Sequence, residues 1–241
     1  FLGQKRAEVL NNRVFLFFAV LGTADVVAEF FTNYYITSYN SDMENAAVIV
    51  TTIFYLLQAL LPVTFIFYIQ TLHEQKIISA KKMFISGVPT LVLISVILTN
   101  PFTEKLFSFD VTAGYVKGPW YLLMYVSALG HFAVALLLIL LWRKKLGPQK
   151  EKILLEIFVI SGVGVVLQMF CQSLLMTGFG MSLGILALFI TINNPNANLD
   201  SLTGLYNHLY LTRKMGELIA SGKSFHIITV YLYQLKHINR V

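Results

Sequence analysis

The chain has 241 residues, of which 56% are hydrophobic and 12% charged, and it carries a net charge of +6. Soluble domains carry about 25% charged residues, and a soluble fold of this size cannot keep so much apolar surface from water, so lipid is the expected solvent. The lone cysteine, Cys171, excludes an internal disulfide and reads as a small buried hydrophobe, and no Cys/His cluster has zinc spacing.

A helix crosses a bilayer with about 20 mostly apolar residues. Six stretches qualify in chain order: 14–36, 46–70, 83–100, 120–142, 153–170 and 174–192. The expected fold class is therefore an all-α polytopic membrane protein with about six spans. The last two stretches are short and joined by almost nothing, which predicts a tight helical hairpin. One broken span is excluded by length, since 40 residues of helix would reach about 60 Å, twice the hydrocarbon core. Pro62 and Pro89 lie inside the second and third spans, where kinks are expected. Gly180 and Gly184 form a GxxxG step in the sixth span, Ser161, Gly162 and Gly164 supply small residues in the fifth, and such small faces let backbones approach, within the chain rather than at a dimer seam.

The connections alternate in charge. Lys5, Arg6, Arg13, Lys76, Lys81, Lys82, Arg143, Lys144, Lys145, Lys150 and Lys152 fall on one side; only Lys105 and Lys117 fall on the other. The positive-inside rule puts the eleven in the cytoplasm. Both ends of the chain are then cytoplasmic, in a plasma membrane, and the net charge is directed at anionic headgroups rather than at nucleic acid. Trp120 and Trp142 mark opposite ends of the fourth span, as interfacial tryptophans do. The outer loop, residues 101–119, holds Phe107–Asp110, a Thr112-Ala113-Gly114 turn and Tyr115-Val116, the pattern of a short β-hairpin. It reads either as a ligand lid or as a surface cap.

Four polar residues fall inside spans. Asp25 lies mid-way along the first, with Glu29 one turn later on the same face. Gln58 and His131 lie at a similar depth in the second and fourth. An ionised side chain there costs at least ~2.5–3.5 kcal/mol and needs a partner. The expectation is an Asp25–His131 pair near Gln58, lining a cavity for a small ligand, with aromatic walls from Tyr34, Tyr55 and Tyr125. A proton or ion path and a purely structural polar knot remain open alternatives. Glu156 and Lys152, at i and i+4, read as a solvated pair.

Beyond residue 192 the character changes. A polar linker, 193–199, leads to Asp200-Ser201-Leu202-Thr203-Gly204-Leu205-Tyr206-Asn207. Residues 208–221 then read as a helix, Phe225–Tyr233 as a strand, and Leu235-Lys236-His237-Ile238-Asn239 follows. This run resembles the opening of the GGDEF family, the fold of diguanylate cyclases, which commonly begins D-x-L-T-G-L-x-N and later carries F-K-x-I-N. The motif residues are Asp200, Leu202, Thr203, Gly204, Leu205 and Asn207. The resemblance implies an α/β domain over 200–241, incomplete at Val241, with Lys236 and Asn239 in nucleotide binding. It also implies a homodimer. In the family, Mg and GTP are held with the help of an Asp; Tyr231 stands at that position here, Arg240 replaces the usual Asp after the Asn, and His208 replaces a common Arg. Neutral Tyr is a poor ligand for a hard cation, so no metal site is expected. No Gly-Gly-Asp/Glu-Glu-Phe loop appears, so either the natural protein continues or the remainder was removed.

The organisation expected is a membrane sensor, 1–192, a linker, 193–199, and the start of a degenerate GGDEF-like module, 200–241. The leading function is a receptor that passes a ligand or membrane signal to cyclic-dinucleotide signalling. An active membrane-bound cyclase, given a longer chain, and an ion or solute transporter are the competing readings.

Overall fold

The computed structural model describes residues 2–74, 80–170, 176–193, 199–200, 202–220, 222 and 224–230. The chain forms two units, Phe1–Ala197 and Asn198–Val241. The first contains α1 (Leu2–Thr37), a 3₁₀ turn (Ser41–Met43), α2 (Glu44–Glu74), α3 (Ala80–Thr103), β1 (Phe107–Asp110), β2 (Gly114–Lys117), α4 (Leu122–Leu146), α5 (Pro148–Phe170) and α6 (Met176–Leu188), which runs on into a π-helical turn, Phe189–Asn193. The second contains α7 (His208–Ala220).

Four helices are long and apolar enough to cross a bilayer: Leu10–Thr37, Glu44–His73, Ser86–Thr103 and Leu122–Leu146. The protein is thus a helical membrane protein. Six spans are not reached among the described residues. The apolar part of α6, Gly178–Thr191, is a shorter helix, about 20 Å long against a hydrocarbon core of about 30 Å. The first turns of α5 carry Glu151, Lys152 and Glu156, and Lys152 and Glu156 form the expected exposed i,i+4 pair at 3.8 Å. α2 and α3 run unbroken through Pro62 and Pro89. Between α4 and α5, Gly147 closes one helix by donating to the Arg143 carbonyl, and Pro148 opens the next, where its missing N–H costs nothing.

In α1 the inward stripe is Phe15, Phe18, Leu21, Asp25, Ala28, Glu29 and Thr32, the three-to-four spacing of one helix face. Leu16, Phe17, Val20, Val27 and Phe30 point outward and exposed, as lipid permits and water does not. The interior falls into two clusters. One, distant from the hairpin, is filled by Phe18, Leu61, Ile66, Tyr68, Ile69, Ile139, Leu154, Ile157 and Leu188. The other gathers Ala47, Phe54, Tyr55, Ala59, Leu93, Ile97, Leu106, Phe107 and Phe109 beneath the hairpin.

The glycine step of α6 is used within the chain. A Cβ on Gly184 would stand 2.9 Å from the Ile157 side chain, and one on Gly180 would stand 3.4 Å from the Ile160 carbonyl. Both contacts lie on α5, so the close approach joins neighbouring helices, as the short connection predicts.

The hairpin between α3 and α4 forms as the sequence pattern suggests. β1 and β2 pair antiparallel, Phe107 opposite Lys117 and Asp110 opposite Gly114. Asn100 anchors it: its Oδ1 accepts from the Leu106 N–H at 2.7 Å and its Nδ2 donates to the Phe107 carbonyl at 3.0 Å. Gly118 passes so close to the Lys105 backbone that any side chain there would collide.

Candidate functional site: a cavity under the hairpin

The bundle encloses a cavity of about 110 Å³ at its hairpin end. Thr32 and Ile36 of α1, Phe54, Tyr55, Gln58 and Pro62 of α2, Leu93 of α3, Tyr121 just before α4, Met124, Tyr125, Ser127, Ala128 and Phe132 of α4, and Met181 of α6 are among its walls. Tyr115 of β2 contributes the roof.

Its tyrosines satisfy one another. The Tyr55 and Tyr115 hydroxyls lie 2.6 Å apart, tying the hairpin to α2, and those of Tyr121 and Tyr125 lie 2.7 Å apart at the start of α4. Burial pushes the Tyr115 phenol above its ordinary range, so it remains neutral. At the rim, Lys105 Nζ lies 4.2 Å over the Trp120 ring and Lys117 Nζ 4.5 Å over Tyr121.

One wall group, on Thr32, has no protein partner. The Thr32 hydroxyl is buried without a hydrogen bond. This is unusual in these helices: Thr23, Thr37, Thr52 and Thr64 each donate to the carbonyl four residues back. Gln58 is a second polar residue of the lining. Its backbone carbonyl also lacks the usual helical donor, because the residue four places on is Pro62, which has no N–H.

Of the four polar residues expected to meet, only Gln58 lines this cavity. His131 borders a much smaller void of about 10 Å³ that shares Pro62, Phe132 and Met181 with the larger one. The Asp25–His131 pair does not form. The His131 Nδ1–H donates to the Ser127 carbonyl at 2.7 Å, and in the neutral ring Nε2 accepts from the Thr90 hydroxyl at 2.9 Å. Those two bonds consume both ring nitrogens. Asp25 is fully buried, and neither carboxylate oxygen has a hydrogen-bond partner.

Glu29 does find a role. Its Oε2 accepts from the Gly178 N–H at 2.9 Å, in the first turn of α6. A carboxylate at a helix N-terminus meets unpaired N–H groups and the positive end of the dipole. A side chain at position 178 would occupy the place of that oxygen, so the contact requires glycine. Tyr34 is half exposed and stacks edge-on against Tyr35, outside the walls.

Sequence reasoning missed Thr32, Tyr115, Tyr121 and Ser127. Thr32 stands seven residues after Asp25, on the same helix face, and Tyr121 stands four before Tyr125; both spacings signal a shared face. Tyr115 was legible only as a hairpin residue.

In the second unit the motif around Asp200 forms a closed turn. Asp200 Oδ1 accepts from the Thr203 N–H and hydroxyl, each at 2.9 Å, and from the Leu202 N–H at 3.2 Å. Those donors, the Thr203 backbone first, hold its carboxyl below the usual range. Gly204 follows at φ +66°, where a side chain is disfavoured. Asp200 N–H then donates to the Leu205 carbonyl at 2.7 Å, and Leu199 bridges Tyr206. Asn207 Oδ1 accepts from the Tyr210 N–H at 3.0 Å and caps α7. Asp200, Thr203, Gly204 and Asn207 thus each have a local structural use, whereas the Leu202 and Leu205 side chains are exposed.

The strand expected at Phe225–Tyr233 is not formed over 225–230, and its last residues lie outside the described ones. A strand needs a neighbour to take its N–H and C=O groups, and no described segment supplies one. Lys236, Asn239 and Tyr231 also lie outside the described residues.

No family model, curated protein or solved structure matches the chain. The likeness to the GGDEF opening therefore stands on the motif residues themselves.

Proposed function

We propose that the protein is a membrane receptor that binds a small molecule in the cavity beneath its outer hairpin. The observation that carries this reading is the cavity itself: a space walled by aromatic rings and other apolar side chains, with Gln58 among its lining residues and the Thr32 hydroxyl left unpaired. Natural ligand sites combine an apolar lining with a few convergent polar groups in this way. A protein with a purely structural interior would have filled the space or paired the hydroxyl.

The reading extends to topology and output. α5 and α6 complete a six-span bundle, with the basic connections and both chain ends in the cytoplasm of a plasma membrane. The hairpin then faces outward and the cavity is fed from outside. Glu29 links α1 to the start of α6, and α6 leads to residues 193–199 and the Asp200 motif. Ligand-dependent movement of α6 is the means of coupling, and it requires different affinity for two states of the bundle. The module after Asp200 is a degenerate GGDEF-like output that works in a homodimer and binds nucleotide through Lys236 and Asn239 without turning over GTP.

The test uses the full chain in lipid nanodiscs, screened for small molecules that raise its unfolding temperature. Ala128→Phe, which fills the cavity from α4, is the control. Compounds that stabilise the wild type and not the variant are expected. A panel that stabilises both equally, or neither, would remove the cavity as the binding site.

A further inference from the structure

Resting on that reading, we infer that the cavity selects an uncharged molecule with one planar ring and one hydrogen-bonding group, held by Gln58 and Thr32.

Charge is decided by the lining. Not one wall residue carries a formal charge. An ion entering would lose its hydration with no counter-charge to replace it. Aromatic rings can hold a cation by their faces, but here the rim ring of Tyr121 is already covered by Lys117, and Lys105 covers Trp120. Two ammonium groups at the mouth oppose a cationic guest. An anion gains from those groups at the rim and loses the gain inside, since Asp25 and Glu29 lie buried on the adjoining stretch of α1.

Size follows from volume. An apolar cavity of about 150 Å³ holds benzene, so about 110 Å³ suits a single small ring. Shape follows from the walls, to which Phe54, Tyr55, Tyr115 and Tyr125 contribute planar rings. Their hydroxyls are largely spent on one another. Recognition of a polar group therefore falls to the unpaired Thr32 hydroxyl and to Gln58, a polar lining residue whose backbone carbonyl also lacks its helical donor at Pro62. These offer both donors and acceptors, which fits a hydroxyl or amide on the ligand.

The probe is p-cresol, titrated against the full chain in nanodiscs by saturation-transfer NMR, with toluene, tetramethylammonium and benzoate beside it. Ala128→Phe and Met124→Trp, two independent ways to fill the cavity, define the specific signal. The expected result is specific binding of p-cresol, weaker binding of toluene, and no specific signal from either ion. Gln58→Leu should weaken p-cresol about tenfold, the loss of one hydrogen bond in a dry site, and leave toluene unchanged. Thr32→Val should act in the same direction. Specific binding of an ion in preference to p-cresol overturns the neutral class while keeping the cavity as a site. Equal binding of toluene and p-cresol, with Gln58→Leu silent, overturns the polar recognition. Absence of any specific signal overturns the inference, and probe binding that neither filling variant reduces overturns the cavity reading beneath it.

Discussion

The two ends of the helical bundle are built from the same helices and solve opposite problems. Away from the hairpin, Phe18, Tyr68, Ile69, Ile139, Leu154 and Leu188 are almost fully buried and packed against one another. Under the hairpin, the helices leave a cavity and keep the unpaired Thr32 hydroxyl beside it. Lipid offers no hydrophobic drive for helices to associate, so close packing must supply cohesion. The packed end supplies it. The open end gives up contact for a place in which something can bind, and regions that bind are drawn from the less stable parts of a fold.

The largest expected effect tests this division directly. Phe18→Ala, in the packed end, should lower unfolding stability by about 3–5 kcal/mol. Phe132→Ala, at the cavity wall, should cost distinctly less, because part of its surroundings is already empty. Denaturant unfolding in detergent micelles measures both. Equal losses would mean that the cavity is as tightly supported as the packed end, and the comparison would fail.

Next comes the hairpin anchor. Asn100→Ala removes three hydrogen bonds to Leu106 and Phe107 and leaves their buried backbone groups unmatched. A loss of about 2–3 kcal/mol is expected, with faster amide exchange in β1 and β2 and little change in α5. Uniformly faster exchange would show that the hairpin is not a separate roof.

A third substitution should act with the opposite sign. Asp25 places two unpaired oxygens in the interior, and a polar group buried without a partner costs about 1–3 kcal/mol. Asp25→Val should therefore raise the unfolding midpoint. If ligand response is lost at the same time, the carboxyl is kept for function at the expense of stability. A lowered midpoint would mean that the carboxyl gains a partner in the membrane.

Much of this was legible in the sequence, and the failures share a cause. Period and length gave the first four helices, the depth of Asp25 and the Gly114 turn of the hairpin, because each depends on residues close in the chain. Which side chains meet across the bundle depends on helix rotation, which no local pattern reports. Asp25 and His131 share a depth, yet His131 faces Thr90 on α3 and turns its other nitrogen to its own helix. Likewise Phe225–Tyr233 is rich in strand-favouring residues, but composition names no neighbour to pair with. The Asp200 motif was the reverse case: it was read as a family opening, and its local chemistry, an Asp-anchored turn and an Asn cap, accounts for Asp200, Thr203, Gly204 and Asn207 but not for the exposed Leu202 and Leu205.

The smallest expected effect concerns pH at the tip of the hairpin. Asp110 Oδ1 accepts from the Thr112 hydroxyl, the Ala113 N–H and the Thr112 N–H. The Thr112 hydroxyl, chief among these donors, holds the Asp110 carboxyl below its ordinary range. A carboxyl lowered in the folded state contributes order above its unfolded range and loses it as pH falls through the folded value. The turn should therefore stay ordered at neutral pH and loosen only under acid conditions below the usual carboxylate range. Amide exchange at Thr112 and Ala113 is the measurement. The group is exposed, so the global unfolding midpoint should barely move while those two amides respond. Asp110→Asn should remove the acid response and leave the packed end of the bundle untouched. A pH response that spread from the turn into α1 and α2 would tie the two ends together, and the division between them would have to be redrawn.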